Sequence, residues 1–312
     1  MQGDGDGWVT CAQGHRHWGR YGAAGLLIRA ADAVVLQHRA PWSHHGDTWG
    51  LLGGARDSHE TVGTAALREA AEEAGIGPDS VRLTGVHTAD HGRWSYTTVL
   101  AEAVGPLRPA SVNPESVEVR WQPVDAVDRL PLHPGFAATW PMLRAAYPPP
   151  HLVVDAANVV GSRPDGWWHR RLSAAQALHD QLAVFARAGL GPWSSPLREG
   201  VERLSSGIAP ESWPVANRIV GLSWIYPRVT MVVEGQARHI AAGSTVEVVR
   251  AVGSGDDAIV GVVRAHPDSL VVTADQKLRR RVGGLGADVV GPQWLRARLD
   301  VSSTQPTERP RQ

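Results

Sequence analysis

Cysteine is almost absent: Cys11 is the only one in 312 residues, which excludes an intramolecular disulfide framework and most zinc clusters. Lysine is equally rare, with Lys277 alone against 30 arginines. That bias, beside abundant alanine, glycine and proline, looks like the mark of a GC-rich genome and says little about chemistry. No apolar run reaches the ~18 residues that a membrane-spanning helix needs. The opening MQGDGDGW is acidic and glycine-rich, unlike a secretory signal, so the cytoplasm is the expected location. Net charge is zero, yet the first half is slightly acidic and the second slightly basic, a small hint that the halves meet different partners. What is present suits a globular chain. With 43% hydrophobic and 20% charged residues, the composition excludes a disordered, collagenous or coiled-coil protein. At about 150 residues per domain, the length predicts two domains.

The boundary falls at Tyr147-Pro148-Pro149-Pro150, because three prolines favour a stiff polyproline spacer over helix or strand. The expected layout is a first domain over 1–147, a linker at 148–150, a second domain over 151–300 and a disordered tail over 301–312. In the first half, GAAGLLIR and AVVLQHR read as paired strands around a turn at Ala30–Asp32. Residues 60–75 read as a helix ended by Gly75, and VRLTGVHT, YTTVLAEAV and VEVRWQPV as further strands before a closing helix, FAATWPMLRAA. In the second half, the apolar strands LVVDAANVV, VTMVVEG, VEVVRAV, LVVTAD and ADVVG alternate in part with helices near SAAQALHDQLAVFARAG, DDAIVGVVRA and QKLRRRV. That pattern predicts an α/β unit with a parallel sheet covered on both faces. Residues 191–222 have no readable period.

The segment GARDSHETVGTAALREAAEEAGI concentrates chemistry. On a helix, residues three and four apart share a face, so Glu69, Glu72 and Glu73 are expected on one side. Carboxylates so close repel one another unless a cation sits among them. A hard, oxygen-seeking ion such as Mg²⁺ fits such a set. Arg68 can pair with Glu72 at i+4, and Gly53 and Gly54 allow a tight backbone entry beside the ion. The bland alternative is a solvated glutamate face, which would explain the Glu72-Glu73 pair alone.

The whole spacing resembles the Nudix box, G-x5-E-x7-R-E-U-x-E-E-x-G-U, through Gly54, Glu60, Arg68, Glu69, Glu72, Glu73, Gly75 and Ile76. TWGLLGG resembles the approach to that box and GAAGLLIR the first core strand, over residues 18–146. Leu52 stands where many members have proline, and Ala70 where a larger aliphatic residue is usual; neither removes a ligand. The resemblance implies an α/β/α sandwich with a mixed sheet. It also implies a Mg²⁺-dependent (or Mn²⁺-dependent) pyrophosphohydrolase acting on a nucleoside diphosphate linked to another group. By carry-over, Glu69, Glu72 and Glu73 hold the metal beside Gly54, and one of them is available as base. Glu115 is the candidate for an added loop carboxylate, with Glu118 as the alternative. Trp42-Ser43-His44-His45 precedes the box, where a base or ribose can stack. Cys11, His15 and His17 are close in sequence, but a zinc site wants a fourth ligand that the sequence does not name, so packing is preferred there. Trp18 and Trp49 are expected in the core.

A second set lies after the linker. Asp155 ends an apolar strand, Asp256 and Asp257 follow a glycine-serine turn, and Asp275 ends another strand. Carboxyl ends of parallel strands form the ligand crevice of an open sheet, so these aspartates are expected to gather around a divalent cation. VVDAANVV (Asp155, Asn158), GSGDDAIV and VVTAD resemble, in order, the motifs of PIN-like nucleases of the NYN branch, with Ala156 replacing a usual glycine. The resemblance implies a PIN-like α/β/α domain and metal-dependent RNA cleavage. Lys277, Arg279, Arg280 and Arg281 could then hold RNA phosphates, and Glu234 could add a carboxylate. Against this, Asp155 and the GSGDD turn also suit simple helix caps.

Three functions are compatible with these motifs. The leading one is a Nudix hydrolase with an appended PIN/NYN-like domain. The others are an RNA-processing nuclease with an accessory Nudix domain, and a nucleotide sensor that does not cleave. No recognition-helix motif for DNA is evident.

Overall fold

A computed structural model describes residues 3–146, 151–162, 171–190 and 221–302. These fall into two compact units: residues 3–146 with 221–224, and 151–162, 171–190 and 225–302. The proline linker at 148–150, most of the unassigned stretch 191–222 and the tail from 303 lie outside the described residues. No described helix is long and apolar enough to cross a membrane.

The first unit opens with a hairpin, β1 (Trp8–Thr10) and β2 (Arg16–Trp18). The main strands come next: β3 (Ala23–Ala30), β4 (Ala33–Arg39), β5 (Trp49–Gly50) and β6 (Leu52–Ala55). They lead to helix α1 (Val62–Ala74), then β7 (Val81–Asp90), β8 (Ser95–Ala103), β9 (Ser116–Pro123) and α2 (Pro134–Ala145). The sheet is mixed: β3 runs parallel to β8 but antiparallel to β4 and β6. The β3–β4 turn sits where its sequence suggested, with Ala30 opposite Ala33.

Helix α1 forms because Thr61 caps it, its hydroxyl accepting from the Thr64 amide at 3.1 Å, and Gly75 ends it with φ 65°. Ala65, Ala66, Ala70 and Ala74 give it a small-residue face that packs with Leu26, Ile28, Leu52, Val99 and Ala101. Ala70 is therefore no gap but a close approach, since it has no exposed surface. Leu52 is buried and paired with Leu26 inside the sheet. Trp49 is buried as expected, whereas Trp18 is 40% exposed. The reason is its place in the two-stranded hairpin, where it meets Trp8 edge-on at 5.5 Å.

The second unit holds β10 (His151–Asp155), α3 (Ala156–Gly161) and α4 (Arg171–Ala188). β11 (Trp224–Ile225) lies at the division between the units, after which come β12 (Arg228–Val233), β13 (Glu247–Arg250) and α5 (Gly255–Ala265). The chain ends with β14 (Ser269–Val272), α6 (Gln276–Gly283), β15 (Asp288–Val290) and α7 (Pro292–Ser302). The sheet β13-β12-β10-β14-β15 is wholly parallel, with the first strand at its centre. One expectation fails: LVVDAANVV is not a single strand. Asp155 ends β10 and caps α3 through the Asn158 amide at 3.0 Å, so AANVVG coils instead. Residues 301 and 302, expected in the tail, close α7.

If Ala70 marks a close approach, Ala70→Leu should overpack the α1–sheet contact. We expect a loss of about 1–3 kcal/mol, read by urea denaturation, with α1 retained. Unchanged stability would show that the space is not filled.

Candidate functional site

The site is built where β6 delivers the chain to α1. A Cβ on Gly53 would sit 2.5 Å from the Ala24 carbonyl oxygen, and one on Gly54 would sit 2.6 Å from Glu69 Oε1. Backbone approach thus requires glycine at 53, whereas a side chain at 54 would displace the Glu69 carboxylate. Arg68 organises the acidic groups of the site. Its Nε and Nη2 donate to the two oxygens of Glu60 at 2.8 and 3.1 Å, and Nη2 also reaches the Ala55 carbonyl at 2.9 Å. Nη1 donates to Glu69 at 2.8 Å and Glu72 at 3.1 Å. The expected Arg68–Glu72 pair exists, but the fork on Glu60 is the larger engagement. It holds Glu60 below the usual carboxylate range, helped by the Asp57 amide.

Glu73 is 3% exposed; Gly53 N donates to its Oε2 at 2.8 Å, and Gln37 Nε2 lies 3.3–3.4 Å from both oxygens. Burial, then Glu69, pushes its pKa up to about 8. Burial likewise raises Glu69 to about 7 against the pull of Arg68, with Glu72 and Glu115 adding repulsion. Glu72 stays exposed. The three box glutamates thus stand in one region, but among the described residues no three of their oxygens lie within 4.8 Å of one another. Of the two loop candidates, Glu115 is close enough to repel Glu69, while Glu118 turns to Arg120 at 3.4 Å.

Two residues escaped sequence reasoning. Gln37, wholly buried, donates to the Leu51 carbonyl at 2.7 Å and accepts from the Ser116 hydroxyl at 2.7 Å, and so orients Glu73. Its signal was a lone amide in the apolar run AVVLQ. Tyr96, whose phenol lies against Gly25, has its pKa raised by burial and by Glu73. No spacing could have found it. In the loop before the box, Trp42 is 67% exposed, while His44 meets Trp8 at 5.2 Å and His45 meets His133 at 4.7 Å.

In the second unit the aspartates do approach one another. Asp155 is buried and accepts from the Thr273 hydroxyl at 2.8 Å and from Asn158 Nδ2 at 2.9 Å. Burial raises its pKa; burial, then Asp275 and Asp155, raises that of Asp256, with Glu234 also opposing both. Asp275 caps α6 through the Lys277 and Leu278 amides at 2.7 and 2.8 Å, which lowers its pKa. Glu234 accepts from the Gly255 amide at 2.7 Å. Asp257 is drawn instead to Arg281. That ion pair engages Asp257 and one arginine of the basic run, so the structure gives Asp257 a partner other than the aspartates. Asp155 and Asp275 cap helices and lie near enough to Asp256 to repel it, but among the described residues no three of these carboxylates bring oxygens within 4.8 Å of one another.

Glu69 and Glu73 make the first unit sensitive to pH when no metal is bound. Their folded pKa values lie above the unfolded value of roughly 4.3, so neither opposes folding below that pH. As pH rises towards about 7 and about 8, ionisation costs more in the folded state, and stability falls. Scanning calorimetry on chelator-treated protein should show Tm dropping between pH 5 and 9, with Glu73→Gln flattening the drop. A Glu73→Gln curve parallel to that of the parent would contradict the burial argument.

The NUDIX domain family matches residues 19–145. A Mycobacterium tuberculosis protein, provisionally described as 8-oxo-dGTP diphosphatase 3, is 54% identical over 157 residues, covering 47% of this chain and 72% of its own. A Bifidobacterium longum nucleoside triphosphate pyrophosphatase/Nudix hydrolase fusion protein is 43% identical over 150 residues, 45% of this chain and 31% of that longer one. The crystal structure of the M. smegmatis Nudix hydrolase RenU shares 50% identity, covers 46% of this chain and 98% of its own, and superposes with a TM-score of 0.43. With the box glutamates, their arginine and the glycine turn in place, the chain belongs to the Nudix hydrolase family.

Proposed function

We propose that this chain hydrolyses the pyrophosphate bond of a nucleoside diphosphate linked to another group, such as a nucleoside triphosphate or ADP-ribose, with Mg²⁺ or Mn²⁺. The observation that carries this reading is that buried Glu73 and half-buried Glu69 stand beside Gly54, where a side chain would collide with Glu69. Buried carboxylates with raised pKa values want a cation, and an all-oxygen donor set suits a hard one. Glu69, Glu72 and Glu73 would hold it beside the Gly54 backbone, with Glu115 reaching in from the loop before β9. Bound there, the ion would neutralise phosphate charge and acidify a water nucleophile. One of the three glutamates, where not fully engaged by the ion, would serve as base. Arg68 positions Glu69 and Glu72 while Glu60 anchors it. The complete carboxylate set argues against a sensor that binds without cleaving. Such chemistry suits the cytoplasm, where nucleotides are abundant.

The M. tuberculosis relative's description makes 8-oxo-dGTP the first substrate to try. A Mg²⁺-dependent screen should add ordinary nucleoside triphosphates, ADP-ribose, dinucleoside polyphosphates and capped RNA. On whichever is cleaved, Glu73→Gln should cost two to three orders of magnitude in turnover, about 3–4 kcal/mol of barrier. Near-normal turnover in the folded variant would overturn the assignment.

A second reading concerns residues 151–300, proposed as a PIN/NYN-like domain with RNA as partner. The repulsion of Asp256 by Asp275 and Asp155, beyond the carboxyl side of the parallel sheet, supports it, with Glu234 added. Mn²⁺-dependent RNA cleavage by the full chain, lost in Asp256→Asn but kept in Glu73→Gln, is the expected outcome. Cleavage indifferent to Asp256→Asn, or none at all, would leave this unit a scaffold.

A further inference from the structure

The fourth ligand that the N-terminal cluster lacked in sequence is supplied by the fold. Strands β1 and β2 are joined by a tight turn: the Cys11 amide donates to the His15 carbonyl at 2.9 Å, and Gly14, with φ 83°, donates to the Cys11 carbonyl at 3.0 Å. His15 and His17, two apart around the start of β2, point to the same side of the ribbon. The hairpin tip is tied to the turn between β7 and β8, where the Ala12 amide donates to the His91 carbonyl at 3.1 Å. A Cβ on Gly92 would sit 2.6 Å from that of Ala12, so the two turns are in close contact.

This brings together Cys11, His15, His17 and His91, each offering one ligand atom, all within 4.8 Å of one another. Cys11 is buried and unbridged. Among the described residues, Nε2 of His17 and Nδ1 of His91 are buried and have no hydrogen-bond partner. Unpartnered ring nitrogens are unusual in a buried setting, since buried polar atoms are nearly always satisfied. Packing explains the rings themselves, for His17 stacks on Trp94 at 4.0 Å and meets His91 edge-on at 4.8 Å. It does not explain a thiol and three imidazoles converging with two nitrogens left over.

We propose that Cys11, His15, His17 and His91 form a structural zinc site that pins the β1–β2 hairpin to the β7–β8 turn. Zinc favours four nitrogen and sulfur ligands in a tetrahedron. Bonds of about 2.0–2.3 Å put the ligand atoms about 3.3–3.6 Å apart, within reach of small side-chain rotations from the present spacing. One thiolate and three neutral imidazoles select such a borderline cation over Mg²⁺, which prefers oxygen. Four protein ligands close the sphere, which marks the site as structural and separate from the carboxylate site proposed for hydrolysis.

Tag-free full-length protein, exchanged into Mg²⁺ buffer, should retain about one zinc per chain by plasma mass spectrometry. Replacement by Co²⁺ should give a thiolate-to-metal charge-transfer band. Cys11→Ser should lose the band and most of the zinc, His91→Gln should weaken zinc retention, and Glu73→Gln should keep both. Strong chelation should lower the Tm of the parent protein more than that of His91→Gln. The proposal is overturned if the parent protein holds no more zinc than Cys11→Ser, or if Co²⁺ produces no thiolate band. The band is read on the parent protein, so the test stands even if a variant fails to fold.

Discussion

Like charges buried side by side are what the first unit must accommodate. Glu73 is buried and Glu69 half-buried, and each raises the pKa of its neighbourhood through repulsion. The surrounding structure is arranged around that difficulty. Arg68 turns its fork to Glu60, a backbone carbonyl and two further glutamates. The Gly53 amide and the Gln37 side chain face Glu73 from the sheet. The alanine face of α1 brings the helix near enough for these contacts, and Gly54 leaves room for the Glu69 carboxylate. In water these carboxylates would cost little. Held in a low-dielectric pocket, they store an electrostatic demand that a divalent cation can meet.

The second unit handles acidic groups differently. Asp155 is as buried as many core residues, yet it accepts hydrogen bonds from an amide, a side-chain amide and a hydroxyl. Asp275 and Glu234 are likewise tied to backbone amides, two of them at the start of α6 and one at the start of α5. These bonds favour the charged form, so repulsion is partly balanced without a cation. Helix capping and the proposed metal binding therefore need not compete: the oxygens that cap α3 and α6 also repel Asp256 near a common point. The parallel sheet creates that point, because β10, β12 and β14 all end on the same side.

Much of this was legible in one dimension. The β3–β4 turn, the extent of α1, its Gly75 terminus and the alternation that makes a parallel sheet all come from local rules. So does the box itself, because a helix converts spacing into a face. The errors were also local in origin. AANVV looks like strand by composition, but the Asp155 cap starts a helix there, and Trp18 looks like core by size, but its hairpin stands apart from the main sheet.

The sequence by itself determined the local arrangements: Arg68, Glu69, Glu72 and Glu73 together on α1, and Asp155 and Asp275 just ahead of helices that they cap. Only tertiary structure decided the partners that come from far along the chain. Gln37 reaches Glu73 from β4, Tyr96 on β8 and Glu115 lie near enough to feel Glu73 and Glu69 respectively, and Arg281 pairs with Asp257. His91, from the turn after β7, joins Cys11, His15 and His17 in the same way. The physical reason is common to all of them. Helix and turn geometry relate residues a few positions apart, whereas contacts between strands depend on pairing order and register, which no spacing encodes.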